Sequence, residues 1–362
     1  MYIERILLKN FRNYSSAQIV PSKTTNILLG QNAQGKTNLV EAVYYLCVGK
    51  SPRTPREKEL IKHDQQQAYI RIDAVKNAGK VKIEAYLTRT DKRRISINGI
   101  PVKKIAELMG TVKAVFFSPD ELKIVKEAPA DRRRFLDIDL SQLSRSYFYN
   151  LSRYNKILSQ RNRLLKSPKN LKDTVDIWDE QLVECGAQVA YKRKEFVARL
   201  AQYAREAQSY LTDGKEELTV EYEGLKGDSI DDIKHNFLNQ LKKDLDYDLE
   251  RGYTNTGIHK DDIALLVNGI DIRSFGSQGQ QRTAALALKL AELEIFSALA
   301  KETPILILDD VFSELDKLRR QRLLERIKNI QTFITCTHFD YDIDGVIFEV
   351  KTGEIYKKSP KI

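Results

Sequence analysis

The sequence predicts an α/β fold in which mixed sheets at the two ends of the chain flank an inserted helical lobe. Three observations support this prediction. Short apolar runs typical of strands occupy both ends of the 362-residue chain, a strand–loop–helix pattern surrounds residues 24–47, and residues 118–214 follow helical spacing. We therefore expect one lobe of residues 1–117 with 215–362, a helical arm of residues 118–214, and no long coiled coil, because no heptad repeat is sustained.

The first hundred residues are expected to combine one helix with an antiparallel sheet. Residues 2–9 alternate polar and apolar side chains, and further runs typical of strands cover residues 68–75 and 81–88. Asn98-Gly99, after the short run 95–97, is a strong two-residue hairpin signal.

A phosphate-binding loop is predicted between the apolar strand 24–29 and the first helix. Gly30 to Thr37 reads GQNAQGKT, in which Gly, four free positions, Gly, Lys and Thr match the loop that wraps nucleotide phosphates. We expect Lys36 to reach the β- and γ-phosphates of ATP, with a role in catalysis, and the Thr37 hydroxyl to bind Mg²⁺. The nucleotide-binding residues assigned here are Gly30, Asn32, Gly35, Lys36, Thr37 and Asn38.

Helical patterning begins after the apolar strand 112–117. Ser118-Pro119-Asp120-Glu121 has the composition of a helix start, and helical spacing then continues to Gly214 with expected breaks at Pro129 and Pro168. Strand signals return at residues 218–222. They are followed by a polar helix over residues 229–249 and by a second hairpin over residues 263–274, with Asn268-Gly269 at its turn.

A second cluster of polar residues opens a strong helix near residue 277. Phe275 to Thr283 reads FGSQGQQRT, and the Ala- and Leu-rich stretch through Ala300 favours a helix. Ser277, Gly279 and Gln280 at its head are suited to binding an anion, because free N–H groups and the helix dipole meet there. An ordinary capped helix is the alternative interpretation.

Two carboxylates end a buried strand at residues 305–310. Ile305 to Leu308 is apolar at every position, which is typical of a parallel strand covered on both faces. Acids at the carboxyl end of such a strand lie where α/β folds bind ligands. We expect Asp309 to hold Mg²⁺ and Asp310 to orient or deprotonate the attacking water, the alternative being a solvated acidic turn.

Two further residues downstream are assigned to the same chemistry. Asp316 ends the stretch Ser313-Glu314-Leu315-Asp316 and is counted among the nucleotide-binding residues. His338 follows the apolar strand 332–337, and from there an imidazole could approach a γ-phosphate as a catalytic or sensing group. A lone histidine at a strand end is more commonly structural.

Composition favours a cytoplasmic protein with a polyanionic partner. The chain carries 60 Lys and Arg against 50 Asp and Glu, a net charge of +10, which favours a partner such as DNA. No apolar run approaches the length of a membrane span, and the N-terminal residues lack the apolar block of a signal peptide. The three cysteines, Cys47, Cys185 and Cys336, are far apart in apolar surroundings, so neither disulfides nor a zinc site is expected.

Candidate DNA contacts fall in four basic segments. The alternative for each segment is an ordinary solvated surface, and for residues 132–134 a further alternative is a brace between the lobes. The residues are Lys50, Arg53, Arg56, Lys92, Arg93, Arg94, Lys103, Lys104, Arg132, Arg133 and Arg134.

The order of these motifs resembles the ABC-ATPase heads of the SMC class. Within that class, the chain resembles the RecF family of SMC-like ABC ATPases over nearly its full length. The segments that carry the resemblance are KNFRNY (residues 9–14), the loop Gly30 to Thr37, FSPD (117–120), RRRFLD (132–137), HKDD (259–262) and FGSQGQQR (275–282).

The resemblance implies a function in recombinational DNA repair, in replication and in the SOS response. Members of the family would bind ATP at a homodimer interface, where Ser277 of one subunit caps the γ-phosphate held by the other. They would bind duplex DNA near gaps and, with RecR and RecO, help to load RecA. By the same resemblance, Arg12 and Asn13 would lie near the nucleotide.

The chain also departs from the pattern that the resemblance leads us to expect. Asp310 stands where wider ABC proteins have Glu, which leads us to expect slow ATP hydrolysis. Ile258 and Lys260 flank His259 where Pro and Arg are expected, and no clear Q-loop glutamine is found near Ser118.

Two other functions fit parts of the pattern. An ATPase subunit of a membrane transporter shares the motifs, but the helical lobe and the basic surface fit that function less well. A monomeric P-loop kinase would make FGSQGQQRT a simple helix cap and would require an acceptor substrate.

Overall fold

The chain forms two compact units in the computed structural model, which describes residues 1–166, 171–339 and 344–358. One unit joins Met1–Leu122 to Glu292–Ile362, and the other is Lys123–Ala291. The first boundary lies close to the expected one at residue 117. The second differs from the expected one at residue 214, because the three-stranded sheet and the helices that follow residue 214 group with the helical arm.

The first unit contains an antiparallel six-stranded sheet in the order β2-β1-β4-β5-β6-β7. Alternate side chains of β4 and β5 are buried, as expected for a sheet with one face on the core. The predicted hairpin forms between β6 and β7. The strands are β1 (Tyr2–Phe11), β2 (Tyr14–Ile19), β4 (Gln67–Lys76), β5 (Gly79–Thr88), β6 (Arg94–Ile97) and β7 (Ile100–Pro101).

A second six-stranded sheet, in the order β15-β14-β3-β13-β12-β8, completes that unit. All its pairings are parallel except that of β15 with β14. Its inner strands β12 and β13 are buried at every residue, which confirms the parallel-type strand expected before the two carboxylates. The strands are β3 (Thr25–Leu29), β8 (Ala114–Phe117), β12 (Ile305–Asp309), β13 (Thr332–Cys336), β14 (Gly345–Lys351) and β15 (Glu354–Lys357).

Helix α1 (Lys36–Val48) lies between the two sheets and contacts strands of both. Every residue from Leu39 to Val48 is buried, so this part of the helix is covered on all sides instead of along one stripe. The remaining helices of this unit are α2 (Ile105–Leu108), the end of α10 (Gln278–Ala300) and α11 (Lys317–Ile327).

The second unit is built from helices and the three-stranded sheet β11-β10-β9. The long helix α6 packs on α5, α7 and β9, which places it within a compact lobe. The helices are α3 (Lys123–Lys126), α4 (Pro129–Leu143), α5 (Arg145–Lys166), α6 (Leu171–Thr212), α7 (Ile230–Lys243), α8 (Leu245–Arg251), α9 (Ile272–Phe275) and the start of α10, and the strands are β9 (Leu218–Glu223), β10 (Asp262–Val267) and β11 (Ile270–Asp271).

Several local expectations are corrected. The helix start at residue 118 gives only a 3-10 turn, Pro119–Leu122, and the short α3. The polar helix at 229–249 divides into α7 and α8 at Asp244. The second strand of the hairpin, after Gly269, is only two residues long. The Asp271 carboxylate accepts hydrogen bonds from the N–H groups of Arg273 and Ser274 and so starts α9. The expected break at Pro168 lies outside the described residues.

Two of the segments that carry the resemblance meet in a buried polar network of the second unit. The guanidinium of Arg193 on α6 contacts Asp261 Oδ2 and Asp137 Oδ1, each at 2.7 Å, and donates to the Ile258 carbonyl at 2.6 Å. Asp137 belongs to RRRFLD and Asp261 to HKDD. These segments therefore connect α4, α6 and β10, which is a structural role.

Candidate nucleotide-binding site

The strand order of the parallel sheet brings the predicted motifs to one edge. Strand β13 lies between β3, which leads into the loop Gly30 to Thr37, and β12, which ends at Asp309. The carboxyl ends of parallel strands meet at the same edge of a sheet, where α/β folds bind ligands. The loop, both carboxylates and the residues after β13 therefore belong to one region of the first unit.

Neighbouring side chains hold the loop closely. Gly35 has φ +119°, and a Cβ there would lie 2.7 Å from Asn13 Nδ2. Asn13 Nδ2 donates to the Gln34 carbonyl at 2.8 Å, and the Tyr14 hydroxyl donates to the Gly35 carbonyl at 2.8 Å. From the β14–β15 turn, the N–H of Gly353 also donates to the Gln34 carbonyl, at 3.0 Å. The turn after β1 and the turn after β14 thus fix the loop from two directions.

The Lys36 ammonium lies inside the loop. Its Nζ donates to the carbonyls of Gly30 at 2.6 Å and Gln31 at 2.9 Å. Burial lowers the pKa of Lys36, while the nearby carboxylates of Asp310 and Asp309 oppose that shift. The ammonium therefore lies between the loop carbonyls and the carboxylates of Asp309 and Asp310, at the position where the loop would enclose an anion.

Asp309 and Thr37 are brought into direct contact. The Thr37 hydroxyl donates to Asp309 Oδ1 at 2.8 Å, and the Thr335 hydroxyl donates to the same oxygen at 2.7 Å. Burial raises the pKa of Asp309, against the effect of these two hydrogen bonds. Residues that lie 272 positions apart in the sequence thus form one cluster of oxygen atoms.

Asp310 is held in a backbone conformation that non-glycine residues rarely adopt. Its φ is +56°, and its N–H donates to the Thr335 hydroxyl at 2.9 Å. The side chain is half-buried. Asp309 thus accepts from both threonines, whereas the Asp310 carboxylate acts electrostatically on Lys36.

Next to the loop, a buried carboxylate orients two arginines. Glu41 on α1 is fully buried and accepts from Arg12 Nε at 2.9 Å and Nη2 at 2.7 Å. Arg53 Nη1 lies 3.5 Å from Glu41 Oε2 and donates to Asn38 Oδ1 at 2.9 Å. A cavity of about 760 Å³ opens beside these groups, with a lining of Arg12, Asn13, Asn38, Arg53, Lys58, Glu59, Ile61, Lys62, His63 and Arg89.

In the second unit, Ser277 and Gln280 cap the start of α10. The N–H of Ser277 donates to Gln280 Oε1 at 3.0 Å, and the N–H of Gln280 donates to Ser277 Oγ at 3.2 Å. Ser277 and Gly279 are exposed. Within the described part of the chain, the N–H groups of Gln278 and Gly279 have no acceptor, which leaves them available to an anion.

The three remaining predicted residues, Asp316, His338 and Asn32, lie in the first unit. Asp316 caps α11 by accepting from the N–H of Arg319 at 2.9 Å, and this hydrogen bond lowers the pKa of its carboxyl. His338 lies just beyond β13 and is exposed, and Asn32 in the loop is exposed as well.

Comparison with known proteins identifies the family. The model of the RecF/RecN/SMC N-terminal domain family matches residues 2–344. The chain is 47% identical to the DNA replication and repair protein RecF of Acetivibrio thermocellus, over 98% of this chain and 100% of that protein. It is 44% identical to RecF of Clostridium botulinum strain Eklund 17B, over 98% and 99%.

The chain belongs to the RecF family.

Solved structures agree with this assignment. A RecF–ATP structure, described as a recombination mediator protein in the RecFOR pathway, has a TM-score of 0.93 at 35% identity, over 99% of this chain and 98% of that one. An SMC head bound to the C-terminal winged-helix domain of ScpA shares the fold alone, with a TM-score of 0.59 at 16% identity over 100% and 98%. The predicted ABC-type fold and ATPase activity of this RecF-family chain are confirmed.

Most of the candidate DNA contacts lie on the surface of the RecF-family fold. The exposed ones are Lys50, Arg53, Arg56, Lys92, Arg94, Lys103, Lys104 and Arg134. Arg93 is half-buried, pairs with Glu57 and donates to the Gly49 carbonyl at 2.6 Å, so it anchors the loop after α1. Arg133 is half-buried and donates to the Asp261 carbonyl at 2.8 Å.

Arg132 corrects the expectation of a DNA contact at its position. Its side chain is 5% exposed and forms a two-pronged pair with the Asp262 carboxylate, at 2.6 Å and 2.8 Å. It also donates to the Glu127 carbonyl at 2.8 Å. The guanidinium is therefore used inside the second unit, where it connects α4 to β10.

Sequence reasoning missed Glu41, Thr335 and Tyr14. Each is a buried polar group: Glu41 lies among the apolar buried residues of α1, Thr335 lies directly opposite Asp309 on the neighbouring strand, and Tyr14 is fully buried. A buried polar residue within a core element is the signal that could have found them, because such groups require partners. All three cysteines are buried and free.

Among the described residues, no helix combines the length and apolar character that a membrane crossing requires.

Proposed function

We propose that this chain is an ATP-dependent, dimerising DNA-binding ATPase of recombinational repair. The observation that carries the proposal is the contact of Thr37 with Asp309 at 2.8 Å beside the closely held phosphate loop. It joins the two motifs that an ABC ATPase needs for its nucleotide. The relatives' names, which include DNA replication and repair, support the biological setting.

Oxygen ligands at this site fit Mg²⁺. The Thr37 hydroxyl and the Asp309 carboxylate are hard oxygen donors, and Mg²⁺ in such sites takes one or two carboxylates together with phosphate oxygens. Thr37 and Asp309 would hold the ion, which supplies charge neutralisation at the β- and γ-phosphates when bound. The Thr335 hydroxyl keeps Asp309 oriented.

The protein's own groups account for the remaining steps of hydrolysis. The Lys36 ammonium would exchange the loop carbonyls of Gly30 and Gln31 for phosphate oxygens. Asp310 would accept a proton from, or orient, the attacking water, and its shorter side chain supports slow turnover. His338 would contact the γ-phosphate side. Arg12, oriented by Glu41, and Asn13 would contact the nucleotide from the adjoining cavity.

The second half of the site would come from another copy of the chain. Ser277 is exposed at the head of α10, and two neighbouring N–H groups are without acceptors among the described residues. Such a helix start is suited to a γ-phosphate. ATP bound to one copy would therefore be capped by Ser277, Gly279 and Gln280 of the other, with Asp316 near the same interface, and hydrolysis would release the pair.

DNA binding would follow from the net charge of +10 and the exposed cations of the first unit. We propose that the closed pair holds duplex DNA near gaps and works with RecR and RecO to load RecA in the cytoplasm. A relative at 35% identity is described as a recombination mediator in the RecFOR pathway, which supports these partners.

Sedimentation velocity of wild type and Ser277→Arg, with and without ATP and Mg²⁺, tests the pairing. Wild type should be a monomer that pairs on ATP, whereas the variant should bind ATP and stay single. Ser229→Arg is a matched control, because Ser229 also caps a helix, α7, through a capping box with Asp232. Pairing of Ser277→Arg at the wild-type ATP concentration would contradict the proposal.

Asp310→Asn tests the assignment of the water-activating group. The variant should keep ATP affinity and the ATP-bound dimer while hydrolysis falls by about 100-fold, the typical contribution of a general base. Phosphate release under single-turnover conditions measures the rate. A wild-type rate would show that another group activates the water.

Duplex binding is tested by titrating salt. Affinity should fall with a log–log slope of about −0.9 per phosphate contacted and should rise when ATP is present. Binding that is indifferent to both salt and ATP would argue against the clamp.

A further inference from the structure

The core face of the antiparallel sheet in the first unit continues along the β6–β7 hairpin at the edge of that sheet. Ile97 pairs with Ile100, and the N–H of Val102 donates to the Ile95 carbonyl at 2.8 Å. Cross-strand partners share a face, as do alternate residues of one strand, so these four aliphatic side chains form one strip. The β5 partners of Ile95 and Ile97 are buried, which places the strip on the core face.

The strip loses its cover toward the turn of the hairpin. Ile95 is buried, and Ile97 and Val102 are half-buried. Ile100 is 72% exposed, more than any other large apolar side chain described in the first unit. Strand β7 has only two residues, and its Pro101 has no N–H to offer a further strand. An occupant of this edge would therefore be bound through side chains and not through strand pairing.

A cavity of about 390 Å³ opens beside the strip. Ile95 and Val102 line it from the hairpin, and Ile105 lines it from α2. Ligand pockets in proteins typically measure about 300–1,000 Å³. The cavity thus offers a concave, aliphatic surface to a bulky apolar side chain.

The charged residues around the cavity leave a positive rim. Arg93 pairs with Glu57 and donates to the Gly49 carbonyl at 2.6 Å, so its charge is neutralised within the protein. Lys92 and Lys103 also line the cavity and are exposed, and in the described part of the chain neither ammonium forms an ion pair. An occupant that carries carboxylates would therefore gain two ion pairs at this rim.

We propose that the strip and the cavity are a docking site for an acidic peptide segment of a partner protein. A bulky apolar side chain of the segment would enter the cavity beside Ile100, and carboxylates on either side of it would pair with Lys92 and Lys103. Charge complementarity favours this occupant over a basic or neutral segment. A nucleic acid fits less well, because phosphates gain nothing from aliphatic side chains. In addition, none of the described residues that line the cavity is aromatic, so a base would have no ring on which to stack.

The inference goes beyond ATP hydrolysis and DNA binding and depends on neither. The sequence places Lys92 and Lys103 among the candidate DNA contacts, and the apolar strip beside them is what assigns them to a peptide instead. The exposed cations elsewhere in the first unit stay available to DNA.

Fluorescence anisotropy with a fluorescein-labelled peptide of sequence EDLDFED, without ATP or DNA, tests the charged rim. The peptide should bind saturably, and Lys92→Glu combined with Lys103→Glu should weaken binding by about tenfold. Lys242→Glu combined with Lys243→Glu is the matched control. These two lysines are exposed on α7 of the second unit, and their reversal changes the net charge by the same amount, so this variant should bind the peptide like wild type.

The apolar strip is tested with Ile100→Ser, which should weaken peptide binding by about fivefold. Val20→Ser is its control, because Val20 is 61% exposed in the same unit and should not affect the peptide. All these positions are exposed, so each variant should keep the wild-type melting temperature.

A blunt 20-base-pair duplex separates a peptide site from a nucleic-acid site. Ile100→Ser should bind the duplex like wild type, and an equal loss for duplex and peptide would assign the strip to nucleic acid and overturn the proposal. Absence of saturable peptide binding to the wild type would also overturn it. So would wild-type peptide affinity in Ile100→Ser or in the Lys92 and Lys103 double variant.

Discussion

A methyl group at Gly35 should disrupt the phosphate loop. Gly35 has φ +119°, and the added Cβ would lie 2.7 Å from Asn13 Nδ2 and 3.0 Å from the Tyr14 hydroxyl. Backbone strain costs about 1–3 kcal/mol for a residue in such a conformation, and displacing two hydrogen bonds costs about 1 kcal/mol each. We therefore expect Gly35→Ala to lower the free energy of unfolding by about 3–5 kcal/mol.

The same change should weaken ATP binding by at least about tenfold, or ~1.4 kcal/mol, because the displaced Asn13 and Tyr14 hold the loop carbonyls in place. Isothermal titration with ATP and Mg²⁺ measures the affinity, and thermal unfolding measures the stability.

Gly79→Ala separates strain from collision. Gly79 has φ +116°, nearly that of Gly35, but a Cβ there would meet no atom within 4 Å. This variant should lose only the strain, about 1–3 kcal/mol, and keep wild-type ATP affinity. The reasoning is refuted if the two variants lose the same stability and Gly35→Ala still binds ATP like wild type.

Two further predictions concern the second unit. Burial lowers the pKa of His259, so the folded protein keeps its imidazole neutral. The contribution of His259 to the free energy of unfolding is therefore complete above about pH 6.5, where the histidine of the unfolded chain is also neutral. Below that pH the unfolded chain binds the proton more readily, and the free energy of unfolding falls by up to ~1.4 kcal/mol per pH unit. Urea unfolding at pH 7.5 and 5.5 should show a smaller loss for His259→Gln than for wild type, and an equal loss would contradict the assignment. Arg132→Met leaves the Asp262 carboxylate without its partner and should cost about 3 kcal/mol in urea unfolding, whereas exposed Arg134→Met should cost less than about 0.5 kcal/mol. Equal costs would show that the buried pair adds no stability.

Local patterns were sufficient where an element's own residues decide its structure. The alternation of β4 and β5, the apolar run of β12 and the hairpin signal at Asn98-Gly99 all gave the elements that form. The helix expected to begin at residue 118 does not form as one element. Residues Pro119–Leu122 adopt a 3-10 turn instead, and the short α3 follows. Strand β2 and the hairpin β14–β15 were missed, although β14 pairs directly with the strand that precedes the phosphate loop.

The candidate site shows the same division. The glycines, lysine and carboxylates were predicted from short motifs because phosphate and Mg²⁺ chemistry requires those residue types at fixed spacing. The contacts of Asn13, Thr335 and Gly353 with the site join segments that are distant in the sequence and come together only in the folded chain. Residue spacing within a short segment does not predict such contacts. For residues 132–134 a structural brace was the alternative to a DNA contact, but the basic run did not indicate which of its three arginines is buried.

The sequence by itself determined the family, the ABC-type fold and the two halves of the nucleotide motif, because these depend on residue types within short segments. Tertiary structure alone decided that Thr37, Thr335 and Asp309 share one oxygen cluster, and that Asn13 and Gly353 both donate to the Gln34 carbonyl of the phosphate loop. Both results depend on strand order and register. Those are set by which apolar faces pack together across hundreds of residues, and a local pattern does not contain that information.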